Sequence, residues 1–395
     1  MRLAYLDPHP VPDDCPEALQ ILYTADALGA IGVDVSLVTP RPRRALTAEN
    51  ILGRPLEARV ALHHLPDPRR RWWFPTASSK PYYFMAARVL RRLGADAVLV
   101  RNLTMADYLL RQAPQIPLVF ETHELFAQTY REEHPHRSPL KRRKLRTLEE
   151  RERFVYCNAA GVLALTPMLL EDIRNTYCVT VPGEIAPDGV DLRQAQAPPT
   201  PVQNPVPMLL YLGSLHPWKG VDTLILAMKH VTRPAQLTIV GGSTRRISEL
   251  RALSQREGVG ERVVFIGPVD PGRRFEWIHR ADICLLSLAP TSIGSRYTSP
   301  LKLFEYMAAG KPVIVSDLPS MRVVLEPDRH ALLVESGNPQ DFARAIERLL
   351  SQPALRERLG RAARELAREF TWETRARRVR AFVEHLKQAP ELRRT

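Results

Sequence analysis

Short uninterrupted apolar runs alternate along this chain with longer stretches whose apolar positions recur at helical spacing, and the alternation occurs twice. In the first part the runs are 3–6, 33–38, 97–100, 118–120 and 160–166, separated by helical patterns that include 16–31, 82–94 and 139–156. Apolar runs without polar alternation mark strands buried on both faces, and strands separated by helices build a parallel sheet covered by helices. Residues 195–207 break the pattern with five prolines and almost no large apolar side chain. That composition predicts a semi-rigid linker. The alternation then resumes, with strands over 208–212, 236–240, 263–266, 283–287 and 312–315. Helices are predicted over 220–231, 245–257, 273–280, 300–309, 339–351 and 354–388, the last broken near Phe370-Thr371-Trp372. The fold class is therefore α/β, with one domain over 1–195 and a second over 205–370.

Composition agrees with two cores. A chain of 395 residues exceeds what one ordinary core supports. Hydrophobic content of 45% and charged content of 25% are those of a globular protein. No apolar run approaches the ~18 residues of a membrane span. The opening Met-Arg-Leu-Ala-Tyr-Leu-Asp lacks a signal-peptide core, so the expectation is a cytoplasmic protein. Cys15, Cys157, Cys178 and Cys284 show no paired spacing, which predicts neither a zinc site nor a disulfide framework. No metal site is expected.

The net charge of +13 implies an anionic partner. Residues 1–195 carry 26 basic against 23 acidic residues and the remainder 30 against 20, so most of the excess is C-terminal. Two local clusters stand out. Residues 69–92 hold seven basic residues and no acid, interleaved with Trp72, Trp73, Phe74, Tyr82, Tyr83 and Phe84. Residues 137–146 hold six basic residues and no acid. Aromatic and basic residues together suit an anionic membrane surface, so a peripheral position at the inner face of the membrane is one reading. Ordinary solvated helix faces are the other. No nucleic-acid-binding motif is present.

Residues 298–317 carry the most chemistry. Ser299 suits an N-cap, Pro300 the first turn, Gly310 the position past the helix end, and Val313-Ile314-Val315 a buried strand. Lys302 then falls in the first turn, where the helix dipole disfavours a cation unless an anion is also bound there. Glu305 lies on a face that continues to Ala308 and Ala309, where a carboxylate needs a partner. The two side chains are three apart and could instead simply pair at the surface. Upstream, Leu-Tyr-Leu-Gly-Ser-Leu-His-Pro-Trp-Lys-Gly (210–220) ends a strand at Gly213 and places Lys219 before a helix, where α/β sheets bind ligands. In the first domain, Leu-Val-Phe-Glu-Thr-His-Glu-Leu-Phe (118–126) sets His123 just past a strand end, with Glu121 and Glu124 beside it.

The pattern Ser-Pro-x-Lys-Leu-Phe-Glu-Tyr-Met-Ala-x-Gly-Lys-Pro-Val-Ile (299–314) resembles the donor-binding signature of the group 1 (family 4) glycosyltransferases. These are retaining, metal-independent enzymes with two Rossmann-like domains facing each other across a cleft, the GT-B fold. The resemblance implies transfer of a sugar from a nucleotide diphosphate sugar, UDP- or GDP-linked, to an acceptor such as a lipid-linked or cell-envelope glycan, with no cofactor. It implies that the last helix, about 373–390, packs back on the first domain. Donor contacts fall to Gly213, Ser214, Lys219, Val269, Arg296, Tyr297, Ser299, Pro300, Leu301, Lys302 and Glu305, with Glu305 accepting from the ribose hydroxyls. His123 stands where the family has a catalytic histidine near the anomeric carbon. Phe-Ile-Gly-Pro-Val (265–269) matches the loop that meets the base, and Pro-Asp-Gly-Val-Asp (187–191) a turn near the domain crossover.

Three departures qualify the likeness. Ser214 replaces the family's arginine in Gly-Arg-Leu-x-x-x-Lys-Gly. Tyr297 replaces a glutamate that touches the donor sugar. The loop after the first strand, Asp-Pro-His-Pro-Val-Pro-Asp-Asp (7–14), contains no glycine where the family often has a glycine-rich one. Two competing expectations are a nucleotide-sugar epimerase of the same architecture and a non-enzymatic binder of anionic ligands.

Overall fold

A computed structural model describes residues 1–42, 46–67, 79–136, 138–196 and 204–388. Arg69 to Ser78 of the first basic cluster, Arg137 of the second, and 197–203 of the expected linker lie outside the described residues. The chain forms two compact units, Met1–Pro187 with Trp372–Thr395, and Asp188–Thr371.

The first unit holds a seven-stranded parallel sheet of β1 (Arg2–Leu6), β2 (Asp34–Pro40), β3 (Val60–Leu65), β4 (Ala97–Val100), β5 (Leu118–Thr122), β6 (Gly161–Ala164) and β7 (Gly183–Ile185), in the order β3-β2-β1-β4-β5-β6-β7. Leu3, Ala4, Tyr5 and Leu6 of β1 are all buried, as a central strand covered on both faces requires. The final helix, Trp372–Gln388, belongs to this unit and packs on Pro16–Ala30, where Trp372 stacks on Tyr23 at 5.3 Å between ring centroids.

The second unit holds a six-stranded parallel sheet of β8 (Met208–Leu212), β9 (Gln236–Val240), β10 (Val263–Gly267), β11 (Ile283–Leu286), β12 (Val313–Ser316) and β13 (Leu332–Val334), in the order β10-β9-β8-β11-β12-β13. Successive residues of β8 feed opposite cores: Leu209 and Tyr211 enter one apolar cluster, Met208 and Leu210 the other. This is the period-two alternation of a strand with helices on both faces.

The predicted strands and helices are present, with boundaries shifted by a few residues. Three strands had no counterpart in the sequence reading: β3, β7 and β13. Each lies at a sheet edge. In β3 and β7 burial is partial, and β3 reads Val-Ala-Leu-His-His-Leu with only Val60 buried, which dilutes the apolar run; β13 is apolar but only three residues long. No described helix is long and apolar enough to cross a membrane.

Candidate functional site

In a parallel sheet ligands bind beyond the carboxyl ends of the strands, where the strand order reverses. In the second unit that reversal falls between β8 and β11. The loops leaving these strands are tied together: Ser287 Oγ donates to the Lys219 carbonyl at 2.8 Å, and the Ala289 amide to the Trp218 carbonyl at 2.8 Å. The helix Leu301–Ala308 starts just after the second loop, and a π-turn, Ile293–Tyr297, precedes it.

Lys302 is the anomaly here. Its side chain is buried, its Nζ lies 3.8 Å from the centroid of the Tyr211 ring, and it has no hydrogen-bond partner. Gly213 makes the room, since a Cβ there would meet Lys302 Nζ at 3.1 Å and its φ of +135° is one that side chains avoid. Burial, and then the nearby charge of Lys219, push the Lys302 ammonium well below its usual range, while Glu305 pulls the other way. Lys219 rests its own Nζ 3.6 Å from the Trp218 ring centroid. Two ammonium groups and a helix N-terminus thus gather at one strand end. An arrangement of that kind lowers its energy by taking a polyanion.

Glu305 does not pair with Lys302. Its Oε1 accepts from Arg274 Nε at 2.5 Å, and both residues are buried. The same guanidinium donates to the Pro271 carbonyl at 2.6 Å and to Gln194 Oε1 at 2.7 Å. The carboxylate is therefore held from one side, and its second oxygen is left for a hydroxyl.

Ser299 corrects an expectation. Pro300, not Ser299, is the N-cap, and no side chain caps the helix. Ser299 Oγ instead accepts from the Asp188 amide at 2.9 Å, one residue too early to reach the first-turn amides. The Leu303 amide turns back to the Pro300 carbonyl at 2.9 Å, and no side chain caps the amides before it. Of the other expected donor residues, Ser214 receives the Tyr211 hydroxyl on its carbonyl at 2.7 Å, and Leu301 opens the helix. Half-buried Arg296 sits in the π-turn, and half-buried Val269 packs on the core after β10. Tyr297 is completely buried. It fills the core where the family has a glutamate and presents no surface to a sugar.

The first unit has its own reversal, between β1 and β4. Close to it, the charges around Glu121 are already matched. His123 Nε2 is 2.8 Å from Glu121 Oε1, and its Nδ1 is 3.1 Å from Arg101 Nη2. Burial and then Arg101 push the imidazole down to about 4. The ring is neutral at pH 7, donating from Nε2 and accepting at Nδ1. Glu121 also accepts from Arg375 Nη2 at 2.5 Å, from the Tyr5 hydroxyl at 3.3 Å, and from Gln20. Burial alone would raise this carboxyl, but Arg375 and His123 hold it well below the ordinary carboxylate range. Arg375 is buried and also donates to the carbonyls of Ala186 and Pro187.

Arg274 and Arg375 escaped the sequence reading, though a signal existed for both. Arg375 interrupts the apolar stripe Trp372, Ala376, Val379, Phe382, Val383, Leu386 at a position on the same face, so a charge was being buried there. Arg274 shares the buried side of its helix with Phe275 and Ile278, while its neighbour Arg273 pairs with Glu276 on the surface.

Comparison with known proteins bears on both units. The family described as Glycosyltransferase Family 4 matches residues 18–194, and that described as Glycosyl transferases group 1 matches 206–352. A D-inositol 3-phosphate glycosyltransferase of Xylanimonas cellulosilytica is 28% identical over 60% of this chain and 60% of its own length. A phosphatidyl-myo-inositol mannosyltransferase of Mycobacterium leprae is 33% identical over 45% of this chain and 46% of its own. The chain thus spans about half to three fifths of these relatives. Among solved structures, sucrose-phosphate synthase from Thermosynechococcus elongatus has a TM-score of 0.80 at 21% identity, covering 98% of this chain and 99% of its own. Anabaena HepE, solved in complex with UDP-glucose, has a TM-score of 0.72 at 16% identity, covering 98% and 100%. These likenesses carry the GT-B fold, and they lend no support to the epimerase alternative. With both halves matched by glycosyltransferase families and the fold shared along its length, the chain belongs to the group 1 (family 4) glycosyltransferases.

Proposed function

We propose that this glycosyltransferase takes its sugar from a nucleotide diphosphate sugar bound at the β8–β11 end of the second unit. The observation that carries the reading is Lys302, a buried ammonium without a hydrogen-bond partner beside Lys219 and an uncapped helix N-terminus. A diphosphate supplies the missing negative charge, and Glu305 Oε2 accepts from the ribose. As the bond to the sugar breaks, the same cations take up charge developing on the leaving diphosphate, a stabilisation that requires no reorganisation of the site. The nucleotide sugar is a substrate and no cofactor is proposed. His123, with both ring nitrogens engaged within the first unit, is held as a fixed neutral imidazole rather than as a source of a mobile proton.

The decisive measurement is a panel of UDP- and GDP-sugars scored by saturation-transfer NMR and titration calorimetry. Glu305→Ala and Lys219→Ala should each weaken donor binding, and unchanged affinity in both refutes the site. Retention is read from the anomeric configuration of the product, and metal independence from undiminished turnover in EDTA. The acceptor class, a lipid-linked or cell-envelope glycan, is supported by a relative named for phosphatidyl-myo-inositol and by a structural neighbour named for lipopolysaccharide biosynthesis.

A second observation favours peripheral contact with an anionic membrane. Phe84 is exposed on the helix Lys80–Leu93 under Arg88, with Arg91 and Arg92 following. Leu140 is exposed on the helix Pro139–Asn158, beside Lys141, Arg142, Arg143, Lys144 and Arg146. Flotation with phosphatidylglycerol vesicles at low and high salt tests this, and absence of salt-sensitive binding rejects it.

A further inference from the structure

The loop after β1 contains a second constellation that the donor reading leaves unused. Asp7 is completely buried, and its Oδ1 takes two hydrogen bonds from one residue: the His9 amide at 2.8 Å and His9 Nδ1 at 2.6 Å. Its Oδ2 is buried without a hydrogen-bond partner. Prolines on both sides of His9 restrict the backbone, so the imidazole is carried on a stiff loop. With Nδ1 fixed by Asp7, Nε2 is the open nitrogen, on a side chain 45% exposed. The dyad stands at the reversal between β1 and β4, the position in this sheet where a ligand is expected.

The chemistry of that ligand follows from the charges around it. The groups facing His9 are Asp7, Arg101 and Glu17. Arg101 is committed, donating to the Glu17 carbonyl at 3.1 Å and to His123 Nδ1 at 3.1 Å. The helix Pro16–Ala30 that begins here has no side-chain cap but carries Glu17 in its first turn, where it answers the helix dipole itself. An incoming phosphate would meet the Asp7 and Glu17 carboxylates and find no uncommitted arginine or lysine among the described residues facing His9. A hydroxyl would meet an imidazole nitrogen held in place by a buried carboxylate.

We propose that the Asp7–His9 dyad is an acceptor-recognition site for an uncharged sugar or polyol ring, with His9 Nε2 hydrogen-bonding a ring hydroxyl and Asp7 positioning His9. This rests on the donor nucleotide occupying the other unit. It also sets the chain apart from relatives named for an inositol phosphate.

The test uses the full chain saturated with UDP and titrated with glucose, mannose and myo-inositol, each beside its monophosphate, by saturation-transfer NMR. At least one uncharged ring should bind more tightly than its monophosphate. His9→Ala should weaken that ring about fivefold, the loss of one neutral hydrogen bond, and leave UDP affinity unchanged. Asp7→Asn should lower the His9 titration midpoint seen by NMR, because the hydrogen bond to Asp7 is what raises it. Binding of none of the uncharged rings, preference for the phosphates, or His9→Ala without effect each overturns the proposal. Loss of UDP binding in wild-type protein would instead count against the donor site, so the two failures are distinguishable.

Discussion

The two units share a fold and differ in how they treat buried charge. Around Glu121 the first unit closes a network: the carboxylate is met by Arg375, His123, Tyr5 and Gln20, and Arg101 by His123 and the Glu17 carbonyl. At its own reversal the second unit leaves Lys302 buried without a hydrogen-bond partner. A closed network rigidifies a scaffold, whereas an open buried charge is a standing cost that a ligand can relieve. The contrast separates what holds the protein together from what it holds.

The largest effect that would break this contrast lies in the closed network. Arg375→Met strands Glu121 without its main cation, and urea unfolding should show a loss of about 3–5 kcal/mol. Only a small change would mean that the network is not a structural element. Lys302→Met should act in the opposite sense. Removing an unpartnered buried ammonium should leave apo thermal stability unchanged or raised, while UDP binding by calorimetry weakens about ten- to a hundredfold, as a lost charged hydrogen bond implies. A destabilised apo variant would show that Lys302 is structural after all. Arg274→Lys keeps the charge but loses the fork that reaches Glu305, Pro271 and Gln194, so UDP affinity should fall about fivefold with modest loss of stability.

The smallest effect is the one most specific to the closed side. By histidine NMR, His123 should titrate near about 4 and remain neutral at mildly acidic pH. Its pKa is depressed from 6.5 on folding, so the stability that the neutral ring contributes is complete above 6.5 and is lost as pH falls through about 4. An ordinary midpoint would mean that the ring is not buried beside Arg101 as placed.

Much of this was legible from the residues. Strands buried on both faces, such as β1 and β12, announce themselves as apolar runs, because nothing polar is tolerated on either side. Edge strands such as β3 do not, since half their surface is wet and the histidines at 63 and 64 are tolerated. Lys302 was visible as a cation where the dipole disfavours one. What it lacked, a partner, is a fact of three dimensions: the candidate Glu305, three residues away, turns instead to Arg274 from a different helix. The Ser299 cap failed for a related reason. Local hydrogen-bonding rules rank partners by sequence spacing, and the Asp188 amide, distant in sequence, reached the hydroxyl first. Arg375 could have been read, because a charge within an otherwise apolar helical stripe has to find a carboxylate.

The second unit starts at Asp188 and finishes at Thr371, and its two ends are joined: the Val190 amide donates to the Phe370 carbonyl at 2.9 Å, and Val190 bridges Thr371. In engineering terms it is a cassette with adjoining ends. A stretch of chain whose entry and exit touch can be lifted out, relinked or exchanged for a homologue's with little loop entropy to overcome. On the proposed reading, which places the nucleotide sugar in this unit, donor preference would move as a single insert, while the first unit would keep both of its own segments, including the helix that follows the insert.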